Sequence, residues 1–129
     1  MLLLKHVHHI AIICSDIKAS VQFYTVILGC TVLHQQYRQE RDSYKVDLSL
    51  NGQYLLELFT FPQHTIRPTQ PEALGLRHLA FAVENLDKNV AFLSAHSIPF
   101  EAIRIDDLTQ KRFTFFRDPD QLPIELYEL

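Results

Sequence analysis

The sequence predicts an α+β fold made of two βαβββ modules in one 129-residue domain. Three observations carry that expectation. "HHIAIICSDIKASVQFY" lies over "RHLAFAVENLDKNVAFL" at an offset of 69, pairing His9 with His78, Ala11 with Ala80, Asp16 with Asn85, Val21 with Val90 and Phe23 with Phe92. Within each copy the pattern changes from a strand-like run to a helical stripe at a capping residue. The ends of the copies also match, because "QYLLELF" (53–59) over "QLPIELY" (121–127) pairs Glu57 with Glu125 and Phe59 with Tyr127 at an offset of 68.

Module one spans about 6–61. A short apolar strand opens at His9, Asp16 is a natural N-cap, and Ile17, Val21, Tyr24 and Leu28 recur at helical spacing until Gly29 ends the helix. Strand candidates follow at 31–38, 43–50 and 53–61. Residues 62–75 hold three of the six prolines and no hydrophobic period, so they read as a linker. Module two, about 76–129, repeats the order: a strand from His78, the cap Asn85, a helix carrying Leu86, Val90 and Leu93, and strands at 100–105, 111–117 and 123–128.

Composition narrows the function. A formal charge of -3 from 12 basic and 15 acidic residues, spread without blocks, leaves no stripe to hold a phosphate backbone, so no nucleic-acid partner is expected. The start "MLLLKHVHH" is too short an apolar run for a signal peptide or a membrane span, and the chain reads as cytoplasmic with no membrane partner. Cys14 and Cys30 lack any CxxC spacing and read as two buried thiols.

The repeat selects among the histidines of "HVHHIAI". Only His9 has a histidine opposite it in module two, His78, whereas His8 lies opposite Arg77. Side chains alternate along a strand, so His8 and His6 are expected to face away from His9 as surface residues. Glu57 shares its expected face with Leu55, Phe59 and Phe61, while Tyr54, Leu56 and Leu58 occupy the other. A carboxylate among such neighbours needs a partner, and no basic residue stands near it in sequence. A divalent cation meets the need, and Glu125 repeats the situation, whereas Glu128 is expected to face solvent. His9, Glu57, His78 and Glu125 form the candidate metal set, with Glu57 and Glu125 also the candidate acid and base.

These residues, with "FYTVILG", "RHLAFAV" and "FFRDPDQLPIELYE", resemble the vicinal oxygen chelate superfamily over essentially the whole chain, and within it the glyoxalase I-like proteins, especially the small YaeR-type bacterial members. The resemblance implies the glyoxalase/bleomycin resistance/dihydroxybiphenyl dioxygenase fold, in which the modules form an open eight-stranded cup around one metal. It implies the ligands His9, Glu57, His78 and Glu125, a set like that of bacterial glyoxalase I; fosfomycin-modifying enzymes and extradiol dioxygenases use two histidines and one glutamate. Glyoxalase I carries a glutathione-binding arginine and asparagine where this chain has Ile13 and Phe61. Lys111 falls where glyoxalase I has a basic loop residue, and the family's "DPDG" turn reads Asp118-Pro119-Asp120-Gln121 here, a change expected to affect only turn strain.

The implied activity is that of a metal-dependent lyase or isomerase moving a proton on a small α-hydroxycarbonyl or thiohemiacetal through a metal-bound enediolate. One divalent ion per site is expected, Ni2+ or Zn2+ ahead of Co2+, Mn2+ or Fe2+. Ile13, Phe59, Phe61 and Lys111 are the expected substrate pocket, and a homodimer sharing its metal sites between chains is the expected assembly. The alternatives are an Fe(II) dioxygenase or epimerase of the same superfamily, and a non-catalytic, metal-loaded protein that binds a small molecule. Arg38, Arg41, Arg67, Lys111 and Arg112 are available to an anionic substrate, but each is expected to be solvated.

Overall fold

The computed structural model describes all residues, Met1–Leu129. Two compact units divide it, Met1–Thr65 and Ile66–Leu129, so the chain changes unit within the segment read as a linker.

Unit one runs β1 (Ile10–Ile13), α1 (Ile17–Gln22), β2 (Thr31–Arg38), β3 (Ser43–Leu50) and β4 (Gln53–Phe59), giving one sheet in the order β1-β4-β3-β2. Asp16 caps α1 by accepting from the backbone N–H groups of Lys18 and Ala19 at 2.9 and 3.2 Å. The helical stripe does not stay regular to Leu28 as expected: residues Phe23–Ile27 form a wider π-type turn, in which Leu28 N–H donates to the Phe23 carbonyl. That widening buries the adjacent Phe23 and Tyr24 together. β3 and β4 are joined by Asn51-Gly52, both at positive φ (51° and 77°), the conformation of a tight hairpin turn that asparagine and glycine adopt at least cost.

Unit two repeats the order with β5 (Leu79–Val83), α2 (Leu86–Ala95), β6 (Arg104–Ile105), β7 (Arg112–Arg117) and β8 (Pro123–Glu128), in the sheet β5-β8-β7-β6. Asn85 caps α2 through Lys88 N–H at 2.9 Å. The strand expected over 100–105 shrinks to two residues and a single bridge from Phe100 to Phe116. It lies at the sheet edge, where the Thr114 hydroxyl donates to the Glu101 carbonyl and occupies an acceptor a longer ladder would use.

Each sheet buries one face. Ile12, Val46, Leu48, Leu56 and Leu58 form that face in unit one, and Leu79, Phe116, Ile124 and Leu126 in unit two; α1 packs against β4, and α2 against β8. Each fully buried leucine contributes roughly 1.5–3 kcal/mol relative to exposure, so these inward positions fix the register. Cys14 and Cys30 are buried and form no disulfide, as expected. No helix is long and apolar enough to cross a membrane.

Candidate metal centre

The opposite faces of the two sheets carry the histidines and glutamates. In both units the first strand runs parallel to the last, with Ala11 opposite Glu57 and Ala80 opposite Glu125. Each histidine stands two residues before that alanine, and its ring reaches the glutamate diagonally. His9 Nε2 lies 3.3 Å from Glu57 Oε2, and His78 Nε2 lies 3.1 Å from Glu125 Oε2. Both glutamate side chains are 13% exposed, so the two units present the same pair of atoms at the same depth. Neither unit alone gathers three or more His, Cys, Asp or Glu side chains in ligating geometry.

The surroundings of the pairs differ. Tyr54 donates its hydroxyl to Glu57 Oε1 at 2.6 Å, and Lys45 Nζ lies 3.1 Å from the same oxygen and 3.1 Å from Asp47 Oδ1. Two expectations are corrected here. Glu57 does have a basic partner, Lys45, which sits twelve residues away in sequence but beside it through the β3–β4 register, where Asp47 pairs with Glu57 and Lys45 with Phe59. Tyr54 does not face away from Glu57, because the register slips between Leu48 and Ser49, leaving Leu55 as an extra residue on β4 that turns Tyr54 to the other side. Burial would raise the Glu57 carboxyl, but hydrogen bonds from Tyr54 and Lys45, with the charges of Lys45 and His9, outweigh it and hold the group below its ordinary range. Burial and then the bond to Glu57 push the Tyr54 phenol well up.

His8 is a third correction. β1 begins only at Ile10, so strand alternation does not govern residues 8 and 9. His8 Nδ1 lies 2.8 Å from His9 Nδ1, and both rings pack near Tyr54, at 5.2 and 5.4 Å between centroids. One ring donates and the other accepts; with the proton on His9 Nδ1, its Nε2 keeps a lone pair toward Glu57.

Around Glu125 the same register positions hold phenylalanines: Phe115 pairs with Glu125 and Phe113 with Tyr127. His78 meets Phe115 edge-on at 5.1 Å, and its buried Nδ1 has no hydrogen-bond partner. His78 and Glu125 open onto a cavity of about 440 Å³ within unit two, whose wall includes Arg67, Arg77, Arg104 and Arg117. Sequence reasoning passes over Arg77, Arg104 and Arg117 and offers only Arg67 of the four to an anionic substrate, as a solvated residue within the linker. An arginine close to an alternating strand on the His/Glu face was the available signal.

The other expected pocket residues divide between the units. Ile13 is 58% exposed and pairs with Phe59, and Phe59 stacks on Phe61 with centroids 6.0 Å apart beneath the Arg38 guanidinium. Lys111 does not line the unit-two cavity; its backbone N–H donates to Thr109 Oγ1. Arg112 is not simply solvated but pairs with Glu128 at 2.7 Å and Asp87 at 3.1 Å. Glu128, expected to face solvent, instead accepts from Arg112 and from Leu86 N–H, which ties β8 to the start of α2 and holds its pKa at about 2. Gln121, in the expected turn, has φ +69°, a left-handed conformation costly for a side chain with a Cβ.

A family model described as Glyoxalase/Bleomycin resistance protein/Dioxygenase superfamily matches residues 6–126. The chain is 59% identical over 128 residues to YaeR of Escherichia coli K12, described as an uncharacterized protein, covering 99% of each. It is similar to the crystal structure of a glyoxalase family protein from Enterococcus faecalis, with 47% identity, a TM-score of 0.91 and coverage of 98% of this chain and 100% of that one. It is 26% identical over 140 residues to the lactoylglutathione lyase of Schizosaccharomyces pombe, covering 92% of this chain and 46% of that protein.

Proposed function

The chain belongs to the glyoxalase/bleomycin resistance protein/dioxygenase superfamily, and from that premise we propose a metal-dependent lyase or isomerase of the glyoxalase I type, moving a proton on a small α-hydroxycarbonyl or thiohemiacetal. The observation that carries this reading is the repeated convergence of a histidine Nε2 and a glutamate Oε2 at 3.1–3.3 Å. Ligands at about 2.1 Å from a cation in adjacent octahedral positions stand about 3 Å from each other, so both pairs have the spacing of neighbouring ligands. Two imidazoles and two carboxylates suit Ni2+ or Zn2+ and leave positions open for substrate oxygens. His9, Glu57, His78 and Glu125 would hold the ion.

A divalent cation supplies Lewis-acid polarisation of neighbouring substrate oxygens and so acidifies the C–H beside them. Glu57 is the fixed carboxylate: Oε1 is engaged by Tyr54 and Lys45, which leaves Oε2 as its one free ligand atom. Glu125 contacts only His78 and faces the cavity, so it can turn a carboxylate oxygen toward a substrate C–H, take the proton and return it to the adjacent carbon. Phe113 and Phe115 line the same cavity and bring no hydrogen-bonding side chain to Glu125. Ile13 and Phe61 offer no group to pair with the charges of glutathione, and activity is expected to vary little among thiols.

Each module brings two ligands, and a two-fold dimer can join module one of one chain to module two of another. Elemental analysis of the purified protein, followed by solvent-deuterium incorporation into methylglyoxal hemithioacetals, tests the reaction: nickel or zinc with exchange supports isomerisation, and iron with oxygen uptake contradicts it. Mixing inactive His9→Ala and His78→Ala chains tests the assembly. Random exchange would restore about a quarter of the activity if sites are shared, and none if one chain supplies all four ligands.

A further inference from the structure

The cavity beside His78 and Glu125 has a charge balance opposite to that of the chain. The protein carries a formal charge of -3, yet four guanidiniums, Arg67, Arg77, Arg104 and Arg117, line this one cavity. Its carboxylates are Glu72, Glu101 and Glu125, and Glu125 is engaged with His78. Glu72 neutralises Arg77 at 3.0 Å, whereas Glu101 is shared by Arg104 at 3.1 Å and Arg117 at 3.5 Å. Arg67 has no carboxylate at all and donates to the Leu76 and Arg77 carbonyls at 2.7 and 3.0 Å. Outside the His78–Glu125 pair, four positive charges therefore meet two negative ones.

The geometry adds a receptor to that excess. The Arg104 guanidinium lies over the rings of Phe113 and Phe115, 5.0 and 5.7 Å from their centroids, which orients its plane while its side chain stays open to the cavity. An oriented guanidinium fork beside a second guanidinium is matched to the paired oxygens of a carboxylate or phosphate. At about 440 Å³ the cavity is sized for a small molecule.

We infer that the substrate of this site is an anion: a small α-hydroxycarbonyl that also carries a carboxylate or phosphate, received by Arg104 and Arg117 while its hydroxycarbonyl end lies toward His78 and Glu125. Arg67 contributes its unpaired charge to the wall. The inference rests on the reading of the site as one for α-hydroxycarbonyls, and it adds the charge of the substrate.

The test is calorimetric titration of the cation-loaded protein with three probes sharing one skeleton: hydroxyacetone, hydroxypyruvate and dihydroxyacetone phosphate. The neutral probe is expected to bind at least about tenfold more weakly than one of the anions, and whichever anion is preferred distinguishes carboxylate from phosphate. Arg104→Gln and Arg117→Gln should each erase most of that preference while leaving hydroxyacetone and Zn2+ affinity unchanged; Arg41→Gln, in the other unit, should leave all three probes unchanged. Equal affinity for the three probes in the wild-type protein overturns the inference, with no variant needed. So does a preference that survives both arginine substitutions in folded protein. If the protein fails to bind a divalent cation, the metal-dependent reading falls and the same titration of metal-free protein decides this one: a retained, arginine-dependent anion preference supports it, and no preference overturns it.

Discussion

Glu57 and Glu125 occupy equivalent strands, equivalent registers and equal exposure, yet their neighbours differ in kind. Where β3 sets Lys45 and Asp47 beside Glu57, β7 sets Phe113 and Phe115 beside Glu125. Tyr54 closes the first arrangement, and an arginine-walled cavity opens the second. The repeat keeps the backbone that brings histidine to glutamate, and the cross-strand partners differ between its two copies. One carboxylate is held by hydrogen bonds from Tyr54 and Lys45, and the other is paired with His78 alone and faces a cavity, the difference from which we propose that Glu125 is the group that moves the proton.

The largest effect expected from that difference is on turnover. Glu125→Gln should lower kcat by about 10²–10⁴ while the cation stays bound, because an amide still coordinates weakly but accepts no proton. Glu57→Gln should lose less in the chemical step at saturating cation and more in cation affinity. Equal losses of kcat in cation-saturated samples of both variants would erase the distinction. Next come the groups that hold the module-one pair: Tyr54→Phe, Lys45→Met and His8→Ala should each weaken cation binding by about tenfold, and far less than His9→Ala does. Unchanged affinity in all three would mean that the bonds around Glu57 and His9 serve the sheet alone.

A smaller effect belongs to Glu128, the other glutamate of β8. Its folded pKa of about 2 lies below its ordinary value of 4.5, so its contribution to stability is fully present above pH 4.5 and is lost as the pH falls through about 2. Melting curves of Glu128→Gln should lie below those of the wild type at neutral pH and converge with them across that window. The smallest effect concerns the turn before β8, where Gln121→Gly should stabilise by about 1 kcal/mol by relieving φ +69°. Module one makes its matching turn with Asn51-Gly52 and gains nothing comparable.

The repeat made the topology legible: matched caps and matched strand ends place both histidines and both glutamates before any coordinate is known. What escaped was set by contacts across strands. Lys45 reaches Glu57 only through a register fixed by the Asn51-Gly52 turn, and Tyr54 only through the extra residue at Leu55, a bulge that interrupts the alternation on which face assignments depend. His8 was misplaced because alternation was carried past the end of β1. Arg77, Arg104 and Arg117 went unread for a similar reason, and Arg67, offered to an anionic substrate, was expected to be solvated rather than part of a cavity wall. Residue 67 lies in a stretch with no period, and the edge strand carrying Arg104 is only two residues long.

We propose that the two His–Glu pairs are halves of one cation site, and the stoichiometry of cation binding decides it. Calorimetric titration of metal-free protein with Ni2+ or Zn2+ should give one tight site per chain, whether ligands come from one chain or two, and either His9→Ala or His78→Ala should abolish it. Two independent sites per chain, with each substitution removing only one of them, would contradict the claim.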